Sequence, residues 1–358
     1  MARNQADWSD LEYLKSEVAR LEALGYAHSD NIDIVLGYAM TLVNLSFEQD
    51  LGEAAGTVAK LENLAARYQY QTEIVREYAK GLVNMSQKQS LGEILGTAAK
   101  LEALAWRYQD QPDIVQEYAM GLFNASCEQD LGQAAGTVGQ LEALAGRYPG
   151  QADIVLAYAM GLVNLTSKQG SGEARDTVAR LERLAERYQD DPDIVLRYAR
   201  GLVNLSKHQD AGEARGTVGK LESLAGWYED QPAIVLRYAM GLVNLSVKQG
   251  PGEAAATVAA LGALAGRYQD NPDFVAEYAT GLANLVFTQD PGEAVRTVAT
   301  LEVLAGRYQD QPDIVREYAK GLLNLSHRQD RQTAAATQAR VSGLATWFEG
   351  TFGRPMFE

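Results

Sequence analysis

An asparagine recurs at positions 44, 84, 124, 164, 204, 244, 284 and 324, always forty residues from the last. Nearly the same words surround each one, as in Tyr198–Ala199–Arg200–Gly201–Leu202–Val203–Asn204–Leu205–Ser206. Self-similarity at one fixed period of roughly 20–50 residues marks a repeat array, in which a unit buries its apolar face only by stacking on its neighbours. That period overrides the about two or three globular domains that the length alone would suggest.

Residues 110–148 serve as the type unit. Asp110–Gln111–Pro112–Asp113 reads as a helix start, with proline at an early helical position and acids near the positive end of the dipole. Ile114, Val115, Tyr118, Ala119, Leu122 and Ala125 then follow a helical spacing to about residue 128, defining helix A. Asp130–Leu131–Gly132–Gln133 breaks it and starts helix B, whose apolar stripe is Ala134, Val138, Leu141, Leu144, Ala145 and Tyr148. The copy Asp290–Pro291–Gly292–Glu293 shows the start signal in full: Asp at the N-cap, Pro at N1, Glu at N3. Short connections between the two helices force antiparallel neighbours.

The ends differ from the interior. Ser9 with Glu12 spells a capping box, and Leu11, Leu14, Val18, Leu21 and Leu24 share one helical face. Residues 9–28 therefore read as a helix B lacking its helix A, an N-terminal cap. Repeated A/B hairpins fill 31–330, residues 331–348 form a last helix B, and 349–358, with Gly350, Gly353 and Pro355, are expected to be an irregular tail. The fold class expected is all-α: a right-handed α-solenoid of stacked antiparallel helical hairpins, about 17 helices, eight A and nine B, in a single solenoid over 1–348.

The hairpin resembles the tetratricopeptide repeat (TPR). Aligned on Glu53–Ala54, Tyr38 falls where that family has its early aromatic, Ala54 on its small residue in the second helix, and Pro112 on its closing proline. The period of 40 departs from the family's 34, Tyr stands for its Trp, and Leu42 for its Gly. The chain is thus TPR-like, and the resemblance implies helices A lining a concave groove that holds a peptide or partner protein.

Composition narrows the functions. A formal net charge of −15 opposes generic polyanion binding, which needs clustered Lys and Arg. Cys127 is the lone cysteine, the N-terminus lacks a signal-peptide core, and no stretch approaches a membrane span, so a soluble cytoplasmic protein is expected. His28, His208 and His327 are scattered without metal-ligand spacing, and no nucleophile–base constellation is present. No enzyme activity, metal or cofactor is expected. Gly216–Thr217–Val218–Gly219–Lys220 lacks the first glycine and the closing Ser/Thr of a phosphate loop. Seven of the eight asparagines sit in N-x-[ST], which a helical, non-secreted site makes a by-product of the repeat.

Helix A leaves a second stripe outside its packing positions: Gln116, Glu117, Met120, Gly121, Asn124, Cys127 and Glu128, expected to be exposed. Its asparagine is fixed while its neighbours vary. Across the copies it carries twelve cations (Arg76, Lys80, Lys88, Lys168, Arg197, Arg200, Lys207, Arg237, Lys248, Arg316, Lys320, Arg328) and six acids (Glu48, Glu77, Glu117, Glu128, Glu277, Glu317), on an acidic chain. A basic groove of this kind favours an acidic or carboxylate-ended peptide. The expected ligand-contacting set is Asn84, Asn124, Asn164, Asn204, Asn244 and Asn284, with Lys80, Met120, Met160, Arg200, Met240, Arg197, Arg237 and Lys207. The asparagines have two readings: their amides bind an extended peptide backbone, or they hold neighbouring helices. Gly81, Gly121 and Gly161 point to close helix approach. The leading expectation is an interaction scaffold without membrane or nucleic-acid partners. The alternatives are a self-associating structural array, for which Trp347, Phe348, Phe352 and Phe357 speak, and an RNA-binding helical repeat.

Overall fold

The computed structural model describes residues 11–357; Trp8 and Ser9, and with them the expected capping box, lie outside these residues. The described residues form seventeen helices and no strand. They are α1 (Leu11–Ala27), α2 (Ile32–Glu48), α3 (Leu51–Arg67), α4 (Thr72–Ser86), α5 (Leu91–Arg107), α6 (Pro112–Glu128), α7 (Leu131–Arg147), α8 (Ala152–Lys168) and α9 (Ser171–Arg187). The series continues with α10 (Pro192–His208), α11 (Ala211–Trp227), α12 (Pro232–Ser246), α13 (Pro251–Arg267), α14 (Pro272–Thr288), α15 (Pro291–Arg307), α16 (Pro312–Ser326) and α17 (Arg331–Phe352). Even numbers are the A helices and odd numbers the B helices. The chain divides into two compact units, residues 1–169 and 170–358.

Local chemistry sets the helix ends. The Asp50, Asp130, Asp210 and Asp290 carboxylates cap α3, α7, α11 and α15, each accepting the N–H three residues on at 2.8–2.9 Å. Ser90 and Glu93 complete a capping box on α5. Proline opens α6, α10 and α12 through α16, where its missing N–H costs no hydrogen bond. Between seven of the A helices and their B helices, a Thr hydroxyl donates to the linker Gln side chain, as Thr57 does to Gln49 Oε1 at 2.6 Å.

Within each unit, every A helix packs on its own B helix, on the B helix before it, and on the next A helix. No two B helices among the described residues come as close as A helices do. Long side chains span that wider side instead: Lys60 to Glu22 at 2.8 Å, Lys100 to Glu62 at 3.1 Å, Lys220 to Glu182 at 2.6 Å. Six tyrosines at B-helix ends add a hydroxyl bond to the loop before, as Tyr108 does to the Gln69 carbonyl at 2.7 Å.

The core follows the expected stripes. Ile114, Val115, Tyr118, Ala119, Leu122 and Ala125 are buried on α6, and Ala134, Val138, Leu141 and Ala145 on α7. The helix-A glycines mark where A crosses the preceding B helix. A Cβ on Gly81 would lie 2.6 Å from Leu61 Cδ1, and one on Gly241 2.5 Å from Leu221 Cδ1, inside any real carbon contact. The first copy, whose preceding helix is the cap α1, has Thr41 there instead.

The C-terminal end departs from expectation. α17 runs on to Phe352 and stops where Gly353 takes the left-handed conformation (φ 64°), its N–H bonding Glu349 O at 2.9 Å. The irregular tail therefore begins four residues later than the glycines had implied. It folds back: Met356 is buried, its carbonyl accepts from Arg316 Nε at 3.0 Å, and Phe348 is fully buried against Phe352. Of the four aromatics that speak for the self-association alternative, Phe348 is buried and Phe352 half-buried by the chain itself, while Trp347 and Phe357 stay exposed.

Candidate functional site: the seam between successive A helices

The stripe expected to be exposed lies largely in the seam where one A helix meets the next. Glu117 and Gly121 are buried, Gln116, Met120 and Asn124 half-buried, and only Cys127 and Glu128 face solvent. The reason is geometric. A single-helix projection assigns one face to the core, but A helices touch neighbours on two sides, so the second face is also covered.

The asparagines are anchored there. Asn84 Nδ2 donates to Val43 O and Ser46 Oγ of the preceding A helix, both at 3.1 Å, and Asn244 repeats this on Val203 O (3.2 Å) and Ser206 Oγ (2.9 Å). Asn124 reaches Ser86 Oγ at 2.8 Å, and Asn164 reaches Ser126 O and Oγ at 2.7 and 3.1 Å. Asn204 and Asn284 are half-buried at the same register, whereas Asn44, with no A helix before it, is exposed. Ser46, Ser86, Ser126 and Ser206 each receive this bond while donating to the carbonyl three residues back, as Ser46 does to Val43 O at 2.7 Å. Ser46, Ser126, Thr166 and Ser206 are fully buried. The triplet is a seam device: serine in one copy meets asparagine in the next. Where Val286 replaces the serine, Asn324 keeps only the carbonyl bond, to Ala283 O at 2.9 Å.

Four stripe cations are also engaged with the seam. Lys88 Nζ donates to the carbonyls of Ser46, Phe47 and Gln49, and Lys168 Nζ to those of Ser126, Cys127 and Gln129 at 3.2, 2.9 and 2.6 Å. Lys248 reaches Lys207 O at 3.0 Å and Arg328 reaches Phe287 O. Each puts a positive charge on the carbonyl end of the preceding A helix. The sequence signal for this was present: the position runs Glu48, Lys88, Glu128, Lys168, His208, Lys248, Thr288, Arg328, a cation in every second copy.

The remaining charges sort differently in the two units. In the first, Lys80 pairs with buried Glu77 at 2.6 Å and Arg76 with Asp113 at 3.1 Å. Burial pushes the Glu117 carboxyl up to about 7, against the pull of Lys80 and Arg76. In the second unit the same register on α10 and α12 holds Arg197 and Arg237, with Arg200 one turn beyond Arg197. No carboxylate among the described residues makes an ion pair with these three. The Nε atoms of Arg197 and Arg237 are buried with no hydrogen-bond partner, as is that of Arg76 in the first unit, whose guanidinium nevertheless has the Asp113 ion pair. Burial first, then the charge of Arg200, holds both guanidinium groups below their ordinary pKa. Arg237 Nη1 lies 2.8 Å from Met240 Sδ, a weak acceptor. Beyond them, burial raises the Glu277 carboxyl to about 7, with Arg237 opposing. Glu317 pairs with Lys320 at 2.5 Å.

Of the expected ligand-contacting residues, Lys207 is exposed and the others are half-buried. The structure brings Arg197, Arg200, Arg237 and Met240 together in one seam. Lys80 is tied to Glu77, while Met120 and Met160 stand on α6 and α8 of the first unit. Among the described residues no helix is long and apolar enough to cross a membrane, and no group of three His, Cys, Asp or Glu is placed to hold a metal.

No protein-family model matches the chain and no curated protein is similar to it. Among solved structures it is similar to one titled "Crystal Structure of Engineered Protein. Northeast Structural Genomics Consortium Target OR329", at 18% identity and a TM-score of 0.43, over 64% of this chain and 97% of that one.

Proposed function

We infer that the chain is a non-enzymatic, TPR-like interaction scaffold that takes an acidic segment of a peptide or partner protein along its A helices, in the cytoplasm. The observation that carries this reading is the set of three half-buried arginines on α10 and α12, Arg197, Arg200 and Arg237. They keep positive charge without an ion-pair partner on a chain of net charge −15. Holding like charges together and partly desolvated is costly unless something compensates them. An anionic guest does so, and guanidinium forks meet carboxylates with paired, charge-assisted hydrogen bonds. The asparagines then serve mainly to hold the A helices in register, which keeps the arginine seam fixed before binding. The acidic exterior discourages competing polyanions.

Isothermal titration with a glutamate-rich decapeptide and a lysine-rich one of equal length tests the reading. The expected result is saturable, salt-sensitive binding of the acidic peptide only, weakened at least about tenfold by Arg200→Ala, a loss of one charge-assisted contact. Equal binding of both peptides, or of neither, contradicts it.

A further inference from the structure

On the opposite side of the repeat, six B helices end in an Arg–Tyr pair of the same chemistry. The guanidinium carbon of Arg67, Arg107, Arg147, Arg187, Arg267 and Arg307 lies 5.4–5.5 Å above the ring of the following tyrosine. In several copies that guanidinium also reaches the side-chain oxygen of the residue 38 positions earlier: Arg147 to Gln109 at 2.6 Å, Arg267 to Glu229 at 2.9 Å, Arg307 to Gln269 at 3.3 Å. A cation over the tyrosine face, held by a side-chain oxygen, is thus a standing part of this surface.

In one internal copy the arginine is missing. Trp227 stands in its place before Tyr228, and it is 78% exposed. Tyr228 still donates to the Gln189 carbonyl at 2.7 Å, so ring and loop hold their usual positions. The cleft here is correspondingly larger: about 410 Å³, against about 240 Å³ where Arg147 lines it and about 150 Å³ where Arg67 does. A second departure lines the same cleft. Glu186 occupies a position held elsewhere by Ala66, Trp106, Gly146, Gly226, Gly266 and Gly306. Its neighbour Glu182 is already engaged, by Lys220 at 2.6 Å and the Tyr198 hydroxyl at 2.7 Å. Glu186 is exposed, with its charge close enough to add to the raised pKa of the Tyr198 phenol, which burial and the bond to Glu182 mainly cause.

We propose that the cleft formed by Trp227, Tyr228, Glu186 and Gln189 is a binding site for the guanidinium group of an arginine on a partner polypeptide. The guest occupies the seat that the protein's own arginine fills in the other copies. It lies over the Tyr228 ring, is flanked by the Trp227 indole, donates to Gln189, and is balanced by Glu186. The size of the cleft falls within the range of small-ligand sites, and two aromatic faces beside a carboxylate are the chemistry that selects a flat cation. The site is independent of the arginine seam on the A helices, and either can fail without the other.

The test uses N-acetyl-arginine amide as probe and N-acetyl-citrulline amide, its neutral isostere, as control, read by saturation-transfer NMR on the full chain. Wild type binds the arginine derivative saturably, with a shift of the Trp227 indole N–H, and the citrulline derivative at least about tenfold more weakly. Trp227→Arg restores the residue of the other copies, leaves the melting temperature unchanged and abolishes binding, because the seat is then filled from within. Glu186→Gly weakens binding several-fold. Equal binding of arginine and citrulline derivatives, or undiminished binding by a folded Trp227→Arg variant, overturns the proposal.

Discussion

The α4–α6 seam of the first unit and the α10–α12 seam of the second are built from the same backbone pattern and the same asparagine–serine latch, yet they carry opposite charge economies. In the first, Glu77 is answered by Lys80, Arg76 by Asp113, and Glu117 takes a raised pKa instead of an ion pair. In the second, Arg197, Arg200 and Arg237 face one another without ion pairs, and arginine cannot escape by losing its proton. The first seam answers its cations with carboxylates, although Arg76 Nε is left without a hydrogen bond; the second leaves three guanidinium groups without any ion pair. Identical scaffolds with different fillings separate what the repeat needs for folding from what a copy adds to it.

That contrast makes predictions of graded size. Lys80→Ala strips the partner from buried Glu77 and costs on the order of 3 kcal/mol of stability. Arg200→Ala at the matching register removes a repulsion and leaves the melting temperature equal or higher, as thermal unfolding of the two variants will show. A similar effect of both substitutions would mean that the seams are electrostatically alike.

The pH dependence is of comparable size, on the order of 3 kcal/mol. Glu117 has a folded pKa of about 7, above its unfolded value of 4.5. The stability held by its neutral form is therefore complete below pH 4.5 and lost as pH rises towards 7 and above. Glu117→Gln should flatten the fall in unfolding free energy between pH 4.5 and 8. Arg237→Gln should steepen it, because Arg237 is the charge that restrains the rise of Glu277. Chemical denaturation across that window checks both signs.

The smallest effect is the latch itself. Asn84→Ala and Asn244→Ala each remove a two-acceptor donor, at about 1 kcal/mol, and by nearly the same amount in both seams. Hydrogen exchange at the preceding A helix reports it locally. An unchanged melting temperature for either would remove the asparagine from the structural account.

Much of this was legible in the sequence. The period, the A and B helices and their caps follow from apolar spacing and from Asp, Pro and Glu at fixed offsets, because those signals act within a single turn of helix. The burial of Glu117 and Gly121 and the partial burial of Asn124 did not follow, since they depend on a neighbour 40 residues away whose distance no helical projection contains. The partner of Asn84 is Ser46, and only the stacked structure shows that a glycosylation-like triplet is half of a hydrogen bond between copies. The helix-end role of Lys88 and Lys168 was recoverable from their recurrence in alternate copies, a period of two repeats that is easily hidden beneath the stronger period of one. At the C-terminus, Gly350 lies inside α17 and Gly353 ends it, a choice set by the left-handed turn that packs Met356.

The central claim is that the α10–α12 seam is an anion receptor because its arginines are unanswered. Arg197→Glu combined with Arg237→Glu gives it the charges that α4 and α6 carry at the same register, and titration of the acidic decapeptide into this variant tests the claim most directly. The account predicts that binding of the acidic peptide disappears while the helical signal and the cooperative melt persist. Undiminished binding of the acidic peptide by the folded double variant would contradict it.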